Sequence, residues 1–196
     1  MPRKPRVLVD GGYYHILTRG NDRKKIFRYK QDYHYFLKII KKYLAEFQIS
    51  ILHYCLMPNH IHLLMQAQKA QDLPKFMQVT LQVYANYFRN KYNSVGFMFQ
   101  NRYKSYLIEK QNYLLECARY IERNPLRAKL VTDLYEYNWS SLSFYIKGLE
   151  DGIIKIKNPL YLEFANTDQE RRRIYYNYIS EERPYEHIVY EALKIT

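Results

Sequence analysis

Short runs of β-branched and aromatic residues alternate along this chain with longer stretches in which apolar residues recur every three or four positions. Residues 13–18 read as a strand, entered through Gly11-Gly12 and left through Arg19-Gly20-Asn21-Asp22. Asp32 is placed as the N-cap of a helix to about Phe47, with Phe36, Ile40, Tyr43, Leu44 and Phe47 along one face. Residues 49–56 form a second strand, and the turn Met57-Pro58-Asn59 leads directly into a third at His60, which predicts an antiparallel hairpin. A second helix starts at about Leu73 or Pro74 and runs to Tyr92, its stripe of Met77, Leu81, Tyr84 and Phe88 assigned to the core. After Gly96, residues 104–109 read as a short fourth strand.

The order strand, helix, strand, strand, helix, strand is that of the ferredoxin-like split βαβ fold: an α+β protein with an antiparallel sheet and both helices on one face. The other face is expected to be free. Side chains alternate along a strand, so Ile61, Leu63 and Met65 are assigned to the helices and His60 and His62 to the open face. A third helix, capped by Asn112, is expected to run to about Asn124, where Pro125 ends it. Residues 147–159 read as a loop and 168–196 as helical, strongly basic at Arg171-Arg172-Arg173. The expected division is a main domain at 1–149 and a mostly helical basic extension at 150–196.

Charge narrows the function classes. Against 19 Asp+Glu the chain sets 31 Lys+Arg, a formal +12 on 196 residues, which points to a polyanionic partner, nucleic acid first, unless it serves solubility alone. The 23 tyrosines suit stacking on unpaired bases, although most are expected to serve packing. Cys55 and Cys117 form no CxxC pattern, which argues against a disulfide framework or a cysteine-rich zinc site. No apolar stretch approaches the roughly 20 residues that span a bilayer, and the basic N-terminus lacks the apolar run of a signal peptide, so a soluble, cytoplasmic protein is expected.

Two features carry chemistry. His60 and His62 share a strand face and can share one metal ion, the bland reading being that they are structural or merely exposed. On a helical wheel Leu114, Ala118 and Ile121 form a packing stripe, with Tyr120 roughly 130° away from its centre. Asn124 at i+4 and Glu116 at i−4 lie on the same face as Tyr120. That face either reaches the sheet's open side or is simply solvent-exposed.

In order along the chain stand Tyr14-His15, Thr18-Arg19-Gly20-Asn21, Leu56-Met57-Pro58-Asn59-His60-Ile61-His62-Leu63-Leu64, Phe99-Gln100-Asn101-Arg102-Tyr103-Lys104-Ser105, Tyr120-Ile121-Glu122-Arg123-Asn124-Pro125-Leu126-Arg127-Ala128 and Trp139-Ser140-Ser141. Over about residues 12 to 145 this set resembles the single-tyrosine HUH transposases of the insertion-sequence type. Among these it is similar to the REP-associated tyrosine transposases, in which an asparagine-proline-x-arginine-alanine segment is typical. The resemblance implies metal-dependent nicking of single-stranded DNA and strand transfer through a covalent 5′-phosphotyrosine, and makes 1–149 the catalytic domain. It gives Tyr120 the role of nucleophile and His60 and His62 that of metal ligands, for Mg²⁺ or Mn²⁺. Asn124 stands where insertion-sequence enzymes place a glutamine ligand; it keeps the amide oxygen on a shorter arm, leaving the third position open to Asn124, water or Glu116. Arg19, Arg23, Arg102, Lys104 and Arg127 are the expected contacts to single-stranded or hairpin DNA. The substrate would be nucleoid-associated in a prokaryotic cytoplasm, with no membrane partner, and the choice between a homodimer and a chain acting alone stays open. Two rivals remain: a non-catalytic nucleic-acid-binding module on the same sheet, which predicts metal-independent binding indifferent to Tyr120, and a hydrolase whose histidines activate water.

Overall fold

Residues 6–109 and 113–183 are described by the structure, a computed structural model. Four strands, β1 (Gly12–Arg19), β2 (Ile49–Met57), β3 (His60–Ala67) and β4 (Lys104–Leu107), form one antiparallel sheet in the order β2-β3-β1-β4. Helices α1 (Lys30–Leu44) and α2 (Asp72–Tyr92) connect them as the ferredoxin-like order requires. Ile61, Leu63 and Met65 join Phe36, Ile40, Phe76 and Tyr84 in the main core, so the hairpin has the register its alternation predicts.

Three details differ from expectation on this side. Strand β4 stops at Leu107 rather than 109, and α1 ends at Leu44, after which the chain turns so that Phe47 accepts from the Ile49 N–H at the start of β2. Asp32 is not the N-cap of α1; Tyr29 is, and Asp32 lies one turn inside. Its carboxylate is buried and accepts from the backbone N–H groups of Arg28 and Tyr29, from the hydroxyls of Tyr87 and Tyr92, and from Lys91 Nζ at 2.7 Å. Burial alone would raise its pKa, but the Lys91 ammonium and the other donors outweigh that and hold it at about 2. One side chain thus starts α1 and ties it to the end of α2.

The second face of the sheet is covered, not open. Helix α3 (Tyr113–Glu122) lies across it, packing Leu114, Cys117, Ala118 and Ile121 on Leu52, Cys55, Met57 and Leu64. Those sheet residues are apolar, and the stripe on α3 needs an apolar partner, so each supplies what the other lacks. The proposed cap Asn112 lies outside the described residues. Helix α3 stops at Glu122, two residues before the expected end; Pro125, which has no N–H to continue the ladder, lies in a separate turn, α4 (Asn124–Arg127), and the Asn124 amide nitrogen donates to the carbonyls of Tyr120 and Ile121 and closes α3.

A β-bulge in β2 prepares this contact. The register slips between Ile51 and His53, so Leu52 and His53, consecutive in sequence, both face α3. His53 thereby reaches Glu122: its Nδ1 donates to Oε1 at 2.9 Å, and its Nε2 accepts from Asn158 Nδ2 at 3.1 Å. The same carboxylate accepts from Ser141 Oγ and, at 2.7 Å, from the Tyr175 hydroxyl. All of these side chains are buried.

Tyr175 belongs to α7 (Asp168–Ser180), which follows α5 (Leu142–Lys147) and α6 (Pro159–Leu162) in the described chain after α4. Tyr145, Tyr161, Tyr175 and Ile179 are buried in the main core. Buried Arg119 and Arg123 reach the last turn of α7, donating to the carbonyls of Tyr178, Glu181, Ile179 and Ser180, where orphan carbonyls and the negative helix end favour cations. Of the basic run, Arg171 pairs with Asp168 and Arg173 with Glu170 on their own helix.

Tyr175→Phe removes one of the donors to a buried carboxylate. An expected loss of about 1–3 kcal/mol is checked by urea denaturation at neutral pH.

Candidate active site

Around the start of β3 the strands and α3 enclose a cavity of about 460 Å³, lined by Arg19, His60, His62, Arg102, Lys104, Tyr120, Asn124 and Arg127. Of the residues singled out from sequence for the site, Arg23 and Glu116 lie apart; Arg23 is exposed, has φ 54°, and sits in the turn after β1 with its carbonyl accepting from Asn59 Nδ2. A wider groove of about 720 Å³ along β4 continues from the cavity through Asn101, Arg102 and Lys104.

Tyr120 is 6% exposed, not a surface tyrosine. Its ring meets His62 edge-on at 5.5 Å and 86°, and His15 at 5.7 Å and 74°. The face of α3 that lies off its apolar stripe therefore still meets the sheet, over β1 and β3. Burial raises the pKa of the phenol, while the Arg127 guanidinium, 4.9 Å from the ring centroid, pulls in the opposite direction by charge and hydrogen bonding. Glu116, offered as an alternative ligand from helical spacing, points elsewhere: it accepts from Tyr178 and pairs with Arg183.

The two histidines are held neutral. His60 has a pKa of about 4, lowered first by burial and then by Arg19 and Arg127; His62 is lowered further by burial, by His60 and His15, and by Arg127. Asn59 Nδ2 donates to Arg23, so its Oδ1 faces His60 Nδ1 at 2.6 Å and must accept the proton. The lone pair of His60 is then on Nε2, the nitrogen a metal would use. His62 Nδ1 lies 3.1 Å from His15 Nε2. Asn124 commits its amide nitrogen to α3 and keeps its oxygen for other partners. Two neutral imidazoles and an amide oxygen fit a divalent ion that takes its remaining ligands from phosphate and water. Among the described residues no group of three or more His, Cys, Asp or Glu could hold an ion unaided.

Sequence reasoning placed Asn59 in the turn before β3, and His15 and Gln100 in segments that carry the resemblance, but gave none of the three a role in the site. Gln100 Oε1 accepts from Arg19 Nε and Nη2 at 3.1 and 2.9 Å and holds that guanidinium at the cavity rim. Asn59 adjoins His60 in the turn, which was the available signal. His15 faces His62 only through the register of β1 on β3, where it sits diagonally from it, opposite Leu64.

With this geometry in hand, the comparisons with known proteins place the chain. Residues 8–124 match the family model for IS200-like transposases, and the chain belongs to that family of DNA transposases. A solved REP-associated tyrosine transposase bound to a REP hairpin superposes with TM-score 0.62 at 16% identity, over 80% of this chain and 93% of that one, and shares its fold. A second solved chain, from Deinococcus radiodurans R1, gives TM-score 0.43 at 16% identity over 62% and 97%, too loose a likeness to carry weight. No curated protein matches the sequence. No helix among the described residues is long and apolar enough to cross a membrane.

The depressed imidazoles set a pH dependence. The unfolded chain takes up protons at them from about pH 6.5 downward, whereas the folded chain does so only near pH 4 at His60 and near pH 3 at fully buried His15. Falling pH therefore favours unfolding across that window. Urea midpoints measured from pH 7 to pH 4 should fall in wild type, and less steeply in His60→Gln.

Proposed function

We propose that this transposase nicks single-stranded DNA and transfers the cut strand through a covalent 5′-phosphotyrosine on Tyr120. The observation that carries the reading is one cavity lined at once by a buried tyrosine, two neutral imidazoles and four cationic side chains. Tyr120 attacks the scissile phosphorus, the new bond joins its oxygen to phosphorus, and the bond to the 3′-oxygen breaks. The phenolic proton is given up to water and the departing 3′-oxygen takes one up. The phosphodiester energy is retained in the phosphotyrosine, so rejoining by the reverse attack needs no ATP.

A free phenol has pKa near 10 and burial moves Tyr120 upward, so the attack needs opposing charge. Arg127 is the group of this chain that favours the phenolate. His60, His62 and the Asn124 oxygen would hold Mg²⁺ or Mn²⁺, which when bound polarises the phosphate and neutralises charge developing on it. Arg19, Arg102, Lys104 and Arg127 would bind phosphates beside the scissile one, with Arg23 outside the cavity on the same side. The REP hairpin held by the structural neighbour supports hairpin DNA with a single-stranded flank as the substrate here. In this reading residues 150–196 form an extension of the catalytic domain whose described part braces α3.

The test is an SDS gel with end-labelled hairpin DNA taken from beside the protein's own gene, with Mg²⁺ or Mn²⁺. Wild type should form a metal-dependent covalent adduct, while Tyr120→Phe forms none yet binds DNA nearly as well. His60→Ala should lose the metal-dependent cleavage. DNA bound without any adduct would favour the non-catalytic binding module, and cleavage surviving in Tyr120→Phe would favour a hydrolase. Binding should also weaken steeply with salt, since each phosphate contact releases counterions; a flat response in a filter-binding titration would remove the polyanion reading.

A further inference from the structure

His15 is fully buried on β1, behind both the ligand and the nucleophile of the proposed site. Its ring stacks on His62 at 5.3 Å and 18° and meets Tyr120 edge-on. Its Nε2 lies 3.1 Å from His62 Nδ1, and its own Nδ1 is buried without a hydrogen-bond partner. A residue kept only to fill this space would be better apolar, because a leucine strands no polar atom in the interior. The cost of the orphan nitrogen is offset only if the other nitrogen does something that packing does not.

Two arrangements of the shared proton are open to a pair of neutral imidazoles. If His15 Nε2 donates, His62 carries its one ring proton on Nε2, and the nitrogen left to face the cavity has no lone pair. If His62 Nδ1 donates, Nε2 of His62 is unprotonated and can ligate. We propose the second arrangement: His15 is a positioning residue that accepts the His62 Nδ1 proton, fixing the tautomer and ring orientation in which Nε2 can bind the metal. Asn59 does the same for His60, so each imidazole has its own acceptor, one in the turn and one on the neighbouring strand. The proposal rests on the metal reading of the site above.

The test uses three forms of the full chain: wild type, His15→Gln and His15→Leu. Glutamine places an amide oxygen about where Nε2 lies and can still accept; leucine fills the space and cannot. Mn²⁺ affinity, measured by calorimetry without DNA, should fall about 10–100-fold in His15→Leu and stay close to wild type in His15→Gln. In long-range ¹H–¹⁵N spectra of the metal-free wild type, His62 should carry its proton on Nδ1. Unchanged affinity in His15→Leu, equal losses in both variants, or a His62 protonated on Nε2 would each overturn the assignment. Should His15→Leu fail to fold, the wild-type spectrum and the His15→Gln titration decide. Wild type that binds no Mn²⁺ overturns the metal reading itself, whereas Mn²⁺ binding indifferent to His15 overturns only the role of His15.

Discussion

Glu122 sits two residues beyond Tyr120 with its carboxylate out of reach of water, and three distant parts of the chain converge on it. His53 comes from the bulged strand β2, Ser141 from the segment before α5, and Tyr175 from α7. A carboxyl group left without partners in an interior is costly, so each donor counts, and each fixes the element that bears it. The result is that α3 cannot slide or roll on the sheet without breaking several buried hydrogen bonds together. The placement of Tyr120 against His62 follows from that restraint, because Glu122 ties α3 to β2, and β2 is paired along its length with β3, which carries His62.

The same covering of the sheet shapes the electrostatics of the cavity. With α3 in place the histidines are withdrawn from water and their charged forms disfavoured, while Arg19, Arg102, Lys104 and Arg127 stay at the rim. Unprotonated nitrogen lone pairs lie inside and positive charge outside. In the proposed function a polyanion would be drawn in by the rim, and a cation by the lone pairs and by the phosphates arriving with it. An open sheet face would have left the histidines solvated and titrating near neutrality.

Much of this was legible in the sequence, and the part that was not has a common cause. The split βαβ order, the hairpin at Pro58-Asn59 and the facing of Ile61, Leu63 and Met65 all follow from local periodicity and turn chemistry. The covered second face was misread because a free face is the simplest form of the fold, and the apolar residues that α3 covers are scattered over β2 and β3. Tyr120 was placed off the stripe of α3 with its direction left open between the sheet and solvent; its ring contacts with His15 and His62 decide for the sheet, which a helical wheel, knowing one partner, could not do. Asp32 looked like a cap because it precedes the apolar face; its bonds to Lys91 and Tyr92, some sixty residues away, could not be seen locally. His15, His53 and Glu122 depend on strand register and on a bulge, and neither leaves a mark in composition.

The bonds from Arg119, Glu122 and Arg123 to α7 have a consequence for how this protein can change. The sequence near the C-terminal end of the described chain lines no part of the cavity, yet it sets the seat of the helix that carries Tyr120. Drift in that segment is therefore not neutral with respect to chemistry. On the proposed role of Tyr120, substitutions at Tyr175, Tyr178 or Ile179 should surface beside those in the cavity in a library screened for altered cleavage, and a lineage that replaced the segment would have to rebuild the support of α3 at the same time.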